Sequence, residues 1–309
     1  EITGLFCFEN RKAIFEGVDS RFKFVILSFE KGKQTTAFPV RFMRHDVAEL
    51  ANFPSAEDIV LDVDLIHKLS PDSLSIMEFK QPIDIEIAQK MLAFPLLGEK
   101  IEGKWNLKLT REFDMTNDSH LFKTEPAPGR LPLYEGKMIH QFTHQFAEPR
   151  YWVDEQEGRK AVLGKNSVDN GQKLDYQAYR LGFRDIASST NERTVIASIT
   201  AFVFHGNKLP NARIYDDNGK KLINNAEQLF LCGVLNSFVV DWMMRQKISS
   251  TLNFFYVYST PVPRLQQGDP WFQPIVDRAA KLICTTPEFD DLWWEVFPHP
   301  LTPSPKGGE

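Results

Sequence analysis

The sequence has 309 residues, of which 42% are hydrophobic and 25% charged, and its net charge is −5 at pH 7. This length suffices for roughly two domains with sizeable cores. No apolar run approaches the roughly 20 residues that span a bilayer, and the N-terminus has no signal-peptide pattern. These observations exclude a membrane protein, and we expect a cytoplasmic one without a membrane partner. Because residue 1 is Glu, we also expect a piece of a longer chain.

The charge is unevenly distributed along the chain. Residues 1–129 hold 16 Lys and Arg against 21 Asp and Glu, residues 130–264 hold 17 against 13, and residues 265–309 hold 3 against 7. The corresponding net charges are −5, +4 and −4. Only the middle segment is basic. A local basic surplus is typical of phosphate contacts, although basic side chains also serve to solvate a surface.

In chain order, residues 5–8 and 22–29 predict an antiparallel strand pair, which needs a larger sheet to cover it. Short strands and helices are then predicted at 40–43, 46–52, 59–61, 62–68 and 74–79, and an amphipathic helix begins at Pro82. Within this region Pro71, Asp72, Glu78 and Lys80 match the pattern of a magnesium nuclease, in which carboxylates hold the metal and lysine helps to position water. The alternative is a turn followed by an ordinary edge strand.

A strand is predicted at 105–113, and the Pro- and Gly-bearing segment 125–130 predicts a linker. We therefore divide the chain into residues 1–129, residues 130–300 and a disordered tail at 301–309. Beyond the linker, 133–146 favours a strand. Its His140 and His144 have the spacing of a helical zinc pair but lack a matching third ligand, so a polar edge that contacts a partner is the alternative. Residues 154–171 predict a loop.

Residues 174–186 and 193–204 predict a second strand pair, on which Arg180, Arg184, Asn191 and Arg193 alternate with apolar residues. Arg pairs with guanine or phosphate and Asn with adenine, because their donors and acceptors match those edges two at a time. These four side chains are the first candidates for DNA contact. Lys137, His140 and Lys208 are the second. The competing interpretation is a solvated strand face.

Toward the C-terminus, residues 225–245 predict one long core helix with Phe238 beside its apolar stripe, residues 253–257 an aromatic strand, and residues 275–282 a last helix. The sequence contains no glycine-rich turn for S-adenosylmethionine and no Asn or Asp followed by two prolines and an aromatic residue. It also has no evident nucleophile system. We therefore expect no catalytic residues, no metal site and no methyl transfer by this chain alone.

Several of these stretches, taken in order, resemble the C-terminal portion of adenine-specific DNA methyltransferases of the type IIG restriction-modification kind. The stretches are 8–15 with 18–32, 70–80, 105–122, 133–146, 179–198 and 235–263. The last of these includes Asn236, Ser237 and Phe238 and ends with Pro261, Val262 and Pro263. The closing helix of the recognition region and the turn from Pro261 to Pro263 are also similar to those of type I specificity subunits.

The resemblance implies an α+β protein: an N-terminal remnant of an α/β methyltransferase sheet, at about residues 1–33, then a target recognition domain from about residue 130. It also implies double-stranded DNA as partner, a separate catalytic chain as a possible second partner, and S-adenosylmethionine as cofactor of the missing catalytic part. In this family the catalytic domain flips an adenine out of the stack and methylates it. The alternative function is a protein-assembly module of a phage-defence complex without direct DNA readout.

Overall fold

A computed structural model describes residues 1–71, 73–164, 167–248 and 250–298. Strands and helices are intermixed along these residues, so the fold is α+β, as predicted. The chain divides into two compact units, one formed by residues 1–96 and 259–262 and the other by residues 97–258 and 263–309. The expected linker at 125–130 lies inside the second unit. The expected tail at 301–309 lies outside the described residues.

The first unit is built on a four-stranded sheet in the order β2, β1, β3, β4. Its elements are β1 (Ile2–Glu9), β2 (Lys23–Phe29), β3 (Ala37–Arg44), β4 (Ile59–Asp62), α1 (Val63–Leu69) and α2 (Pro82–Met91). β1 pairs antiparallel with β2 and parallel with β3, which confirms the predicted N-terminal strand pair. The helix predicted from Pro82 is also confirmed, with the proline in its first turn. No strand is assigned at 74–79.

Apolar side chains fill the centre of this sheet and leave its edge exposed. Phe6 and Phe8 of β1 and Phe38 of β3 are at most 1% exposed. On the edge strand β2, by contrast, Val25 is 58% exposed and Ile26 is 43% exposed. Successive residues of a strand point to opposite faces, so β2 is uncovered on both faces.

The second unit contains seven strands and six α-helices among its described residues. They are β5 (Leu109–Thr110), β6 (Arg130–Tyr134), β7 (Trp152–Asp154), α3 (Glu155–Leu163), β8 (Arg180–Phe183), β9 (Ala197–Thr200), β10 (Phe204–His205), β11 (Asn211–Ala212), α4 (Asn225–Leu235), α5 (Phe238–Arg245), α6 (Phe254–Tyr258), α7 (Phe272–Ile283) and α8 (Asp290–Val296). The strands form two sheets, ordered β10, β6, β7 and β5, β11, β8, β9. Helix α4 packs on β8 and β9 and against α7.

Two predictions about the helices near residue 240 were wrong. The expected helix at 225–245 is broken, because the Asn236 side chain turns to the Ala197 backbone and Ser237 caps a new helix by accepting from the Val240 amide. Residues 253–257, expected as a strand, lie largely in helix α6. The hydroxyl of Tyr258, at the end of this helix, accepts a hydrogen bond from the Leu109 amide of β5 at 2.8 Å. Tertiary contacts outweigh β-propensity there.

Two further differences concern local boundaries. Residues 154–171 are not all loop, because Asp154 precedes helix α3, whose Gly158 packs directly against the Phe204 ring. The expected strand at 105–113 is reduced to β5. Both outcomes depend on partners distant in sequence, which local patterns do not reveal.

Candidate nucleic-acid interface

The predicted DNA contacts lie around one end of the β8–β9 pair. These strands run antiparallel from Arg180 opposite Thr200 to Phe183 opposite Ala197. Beyond the last pair, the Arg184 amide still donates to the Ile196 carbonyl at 3.0 Å. Residues 184–196 therefore form a loop at this end of the strand pair, and this loop carries Arg184, Asn191 and Arg193.

Arg180 does not belong to this surface, so the prediction that it contacts DNA is wrong. Its side chain is fully buried and forms an ion pair with Glu112, while it also donates to the Val203 carbonyl and, at 3.3 Å, to Asn211. All four residues of β8 are buried, because the strand is covered on both faces. A solvated, alternating strand face does not exist at this position.

Arg184 is the cation at the centre of the loop end. Its Nε and Nη2 donate to the Ile139 carbonyl at 3.0 and 2.7 Å, and its guanidinium lies 5.4 Å from the centroid of the Phe146 ring. Within the described part of the chain, no carboxylate forms an ion pair with it. Burial lowers the pKa of Arg184, as expected for a half-buried cation. The group thus carries a positive charge without a counter-ion.

His140 and Phe146 complete the surroundings of Arg184. Their rings lie 4.7 Å apart, and Phe146 is 59% exposed. Burial lowers the pKa of His140, and the nearby positive charge of Arg184 lowers it further, so the imidazole is neutral near pH 7. A tight turn holds His140 in place, because its backbone exchanges hydrogen bonds with Thr143 in both directions.

His144 lies apart from His140 and has a structural role. Its Nε2 is 2.7 Å from a Glu288 carboxylate oxygen, and its ring packs edge-on against Phe289 in the interior. No group of three His, Cys, Asp or Glu able to hold a metal occurs among the described residues. Of the residues that match the nuclease pattern, Asp72 lies outside the described residues, and the Glu78 carboxylate forms an ion pair with Lys23 at 2.6 Å.

Arg193 is held rigidly at the other side of the loop. Its guanidinium donates to the Gln141 side chain at 3.1 Å and to the Asn236 carbonyl at 3.2 Å, and it lies 3.8 Å from Asp241. Its flat group covers the Phe238 ring at 4.2 Å from the centroid. Phe238, which the sequence placed in the core, is 82% exposed, because the helix break makes it the first residue of α5.

Lys137 and Lys208 lie beside Arg184. A Cβ built on Gly136 would lie 2.6 Å from the Lys208 carbonyl oxygen and 3.6 Å from the Arg184 Cα, so the three backbone segments touch at this glycine. The Lys137 side chain is 56% exposed and 3.9 Å from Glu135. The Lys208 side chain is 51% exposed and binds Asp185 at 2.9 Å.

Asp185 anchors a further cation that the sequence analysis did not select. It accepts from Arg111 at 2.7 Å in addition to Lys208, so two positive charges share one carboxylate. Asn191 is exposed in the loop, and its backbone N–H donates to the Ser188 carbonyl at 3.2 Å. The surface therefore combines Lys137, His140, Arg184, Asn191, Arg193 and Lys208 with Arg111, Phe146 and Phe238.

Comparison with known proteins adds little to this geometry. No family model and no curated protein matches the chain. Among solved structures, the HsdS subunit from Thermoanaerobacter tengcongensis is similar at 15% identity and a TM-score of 0.31, over 69% of this chain and 49% of that one. The chain thus spans about half the length of that subunit. Similarity at this level assigns no function to the chain.

Across the described residues, no helix is both long and apolar enough to cross a bilayer.

Proposed function

We propose that the second unit, to which most of residues 130–300 belong, is a target recognition domain that binds double-stranded DNA in the cytoplasm, for an adenine-N6 DNA methyltransferase of a restriction-modification system. The observation that carries this proposal is the half-buried Arg184, which has a carbonyl and an aromatic ring as partners but no carboxylate among the residues that the structure describes. A cation left without a counter-ion beside Lys137 and Lys208 favours an anionic ligand.

Within this proposal the residues have distinct roles. Arg184 and Asn191 read base edges, because a fork and an amide can each pair bidentately with one base. Lys137, Lys208 and Arg111 contact phosphates, which positions the duplex without reading its sequence. Arg193 and His140 support the surface, since Arg193 is already committed to three polar partners and His140 is neutral.

Methyl transfer itself belongs to a catalytic part outside the described residues. Strand β1 leads through a short 3-10 turn at Asn10–Lys12 toward the hairpin partner β2, and no glycine-rich turn into a helix follows it. This connection therefore does not supply the glycine-rich turn that binds S-adenosylmethionine. The exposed strand β2 supports a second candidate function, a protein-assembly module, because its uncovered apolar faces suit a protein partner rather than DNA.

The test is DNA binding as a function of salt. Duplexes selected by the full chain from a randomised pool are titrated by fluorescence anisotropy between 50 and 300 mM NaCl. We expect log affinity to fall with log salt by roughly 0.9 per phosphate neutralised. Arg184→Ala should weaken binding by about 1 to 3 kcal/mol, and the loss should concentrate at one base pair.

Arg278→Ala is the matched control, because it removes the same charge from an exposed arginine whose Nη1 bonds only the Pro274 carbonyl one turn away. It should bind as the wild type does. Selection of no duplex from the pool, or binding that is insensitive to salt, would reject DNA recognition and favour the assembly module. Equal losses in the two variants would remove Arg184 from the interface.

A further inference from the structure

Phe238 is exposed in an unusual setting. Single exposed apolar residues are common and need no explanation. Phe238 differs because it is the first residue of helix α5, 82% exposed, and one face of its ring is covered by the Arg193 guanidinium at 4.2 Å. With so much of the side chain accessible, the other face of the ring is open to solvent.

The Arg193 guanidinium behind the Phe238 ring is held in place by its polar partners. Arg193 cannot swing away easily, because Gln141, the Asn236 carbonyl and Asp241 hold its guanidinium from three directions. Asp241 is fixed in turn, since it accepts from the Thr194 and Val195 amides at 2.7 and 2.8 Å. The Phe238 ring thus stacks on a guanidinium that is held in place, and its other face is open.

The surroundings of the stack favour a nucleobase over an apolar protein partner. Gln141, which holds Arg193, belongs to the same tight turn as His140, and that turn lies against Arg184. Phe238 therefore projects next to the basic candidate interface, with the 43% exposed Val239 as its apolar neighbour in sequence. A planar base extends a stack of guanidinium and ring, and the phosphates of the same strand are attracted by the cations of the interface, Lys137 and Lys208 among them.

Phe146 provides a contrast within the same interface. Its ring contacts both His140 and Arg184 and is 59% exposed. Phe238 has a single ring partner, the Arg193 guanidinium, among the contacts of the described residues. At 82% exposure, Phe238 has the larger free ring surface of the two.

We infer that Phe238 is a wedge that opens one base step of the bound duplex and stacks the free face of its ring on one base of that step, with Arg193 as the positioning residue behind the covered face. This inference rests on the proposed function. Opening the step unstacks its two base pairs and kinks the duplex, and the Phe238 ring replaces the lost stacking on one side. Specificity for an easily unstacked step follows from the same geometry, because deformation costs less there.

The wedge is tested with a duplex from the selected pool in which 2-aminopurine replaces successive adenines. Wild-type chain should raise the emission at one step, where the base loses its neighbour. Phe238→Leu should weaken binding about tenfold and lower the rise in emission, since it removes the flat ring and stacking of one base contributes on that scale. Phe238→Trp, which keeps a flat ring, should retain both.

Phe29→Leu is the control, because Phe29 is 68% exposed but lies on β2 in the first unit. It should bind and report as the wild type does. Salt-dependent binding without any rise in emission overturns the wedge and leaves DNA recognition intact, as does an unchanged Phe238→Leu. Failure of the wild type to bind any duplex removes both proposals. Unchanged circular dichroism of Phe238→Leu will show that its fold is intact.

Discussion

At the scale of single residues, the arginines of the β8–β9 region separate into two kinds. Arg180 is buried in an ion pair, whereas Arg184 lies at the loop end without a carboxylate partner in the described part of the chain. Both directly follow an aromatic residue, Tyr179 or Phe183. What distinguishes them is Glu112, 68 residues before Arg180, and no single-sequence pattern reveals a partner at that separation.

The buried pair leads to a prediction about stability. Arg180→Met leaves the Glu112 carboxylate buried without its cation, and removing one partner of such a pair costs about 3 to 5 kcal/mol. Urea denaturation measures the loss. The double variant Arg180→Met with Glu112→Leu should recover most of it, because no uncompensated charge remains.

The control for this prediction is another arginine in an ion pair. Arg150 binds Glu135 through two hydrogen bonds, but its side chain is 53% exposed. Arg150→Met should therefore cost at most about 1 kcal/mol. If the two single variants lose equal stability, burial does not govern the contribution of Arg180.

At the scale of elements, the sequence predicts strands and helices whose signal is local. The β1–β2 pair and helix α2 are confirmed because an apolar run, a turn and a proline at a first turn are all readable within a few residues. The break at Asn236 is not readable in this way. It depends on hydrogen bonds between its side chain and the Ala197 backbone, 39 residues away.

The same break leads to a prediction about the loop. Asn236→Leu keeps the side-chain size but leaves the buried Ala197 amide without its acceptor, which costs about 1 to 3 kcal/mol, whereas the Ala197 carbonyl still accepts from the Phe142 amide. Thermal unfolding should show the loss. Asn225→Leu is the control, since Asn225 bonds Glu295 at an exposed site, and it should change stability by less than about 0.5 kcal/mol. A stable Asn236→Leu would contradict the role assigned to this side chain.

At the scale of the whole molecule, the exposed strand β2 is the main apolar feature of the first unit. Val25, Ile26, Leu27 and Phe29 are each more than 40% exposed on a strand at the edge of its sheet. The sequence already predicts that this strand pair needs a larger sheet, because an unbroken apolar run is typical of a strand buried on both faces. A separate catalytic chain as the covering partner stays a prediction.

The exposed edge gives an expectation for the isolated chain. Unpaired apolar edge strands associate, so the protein should self-associate as its concentration rises and should bind a hydrophobic dye. Val25→Lys with Leu27→Lys should reduce both, as measured by light scattering and dye fluorescence. Lys90→Ala, on an exposed position of α2, should leave them unchanged. A wild type that remains monomeric at 100 μM without binding dye would contradict this expectation.

The polypeptide passes between the two units three times, at residues 96–97, 258–259 and 262–263. Residues 259–262 are integral to the first unit, where Val262 donates to the Pro95 carbonyl at 3.0 Å and Pro261 bridges to Leu96. A recombination event that exchanged everything after residue 96 would therefore replace four residues of the unit it left behind. Exchange of the second unit between genes is compatible with this architecture only where donor and recipient share that short returning segment.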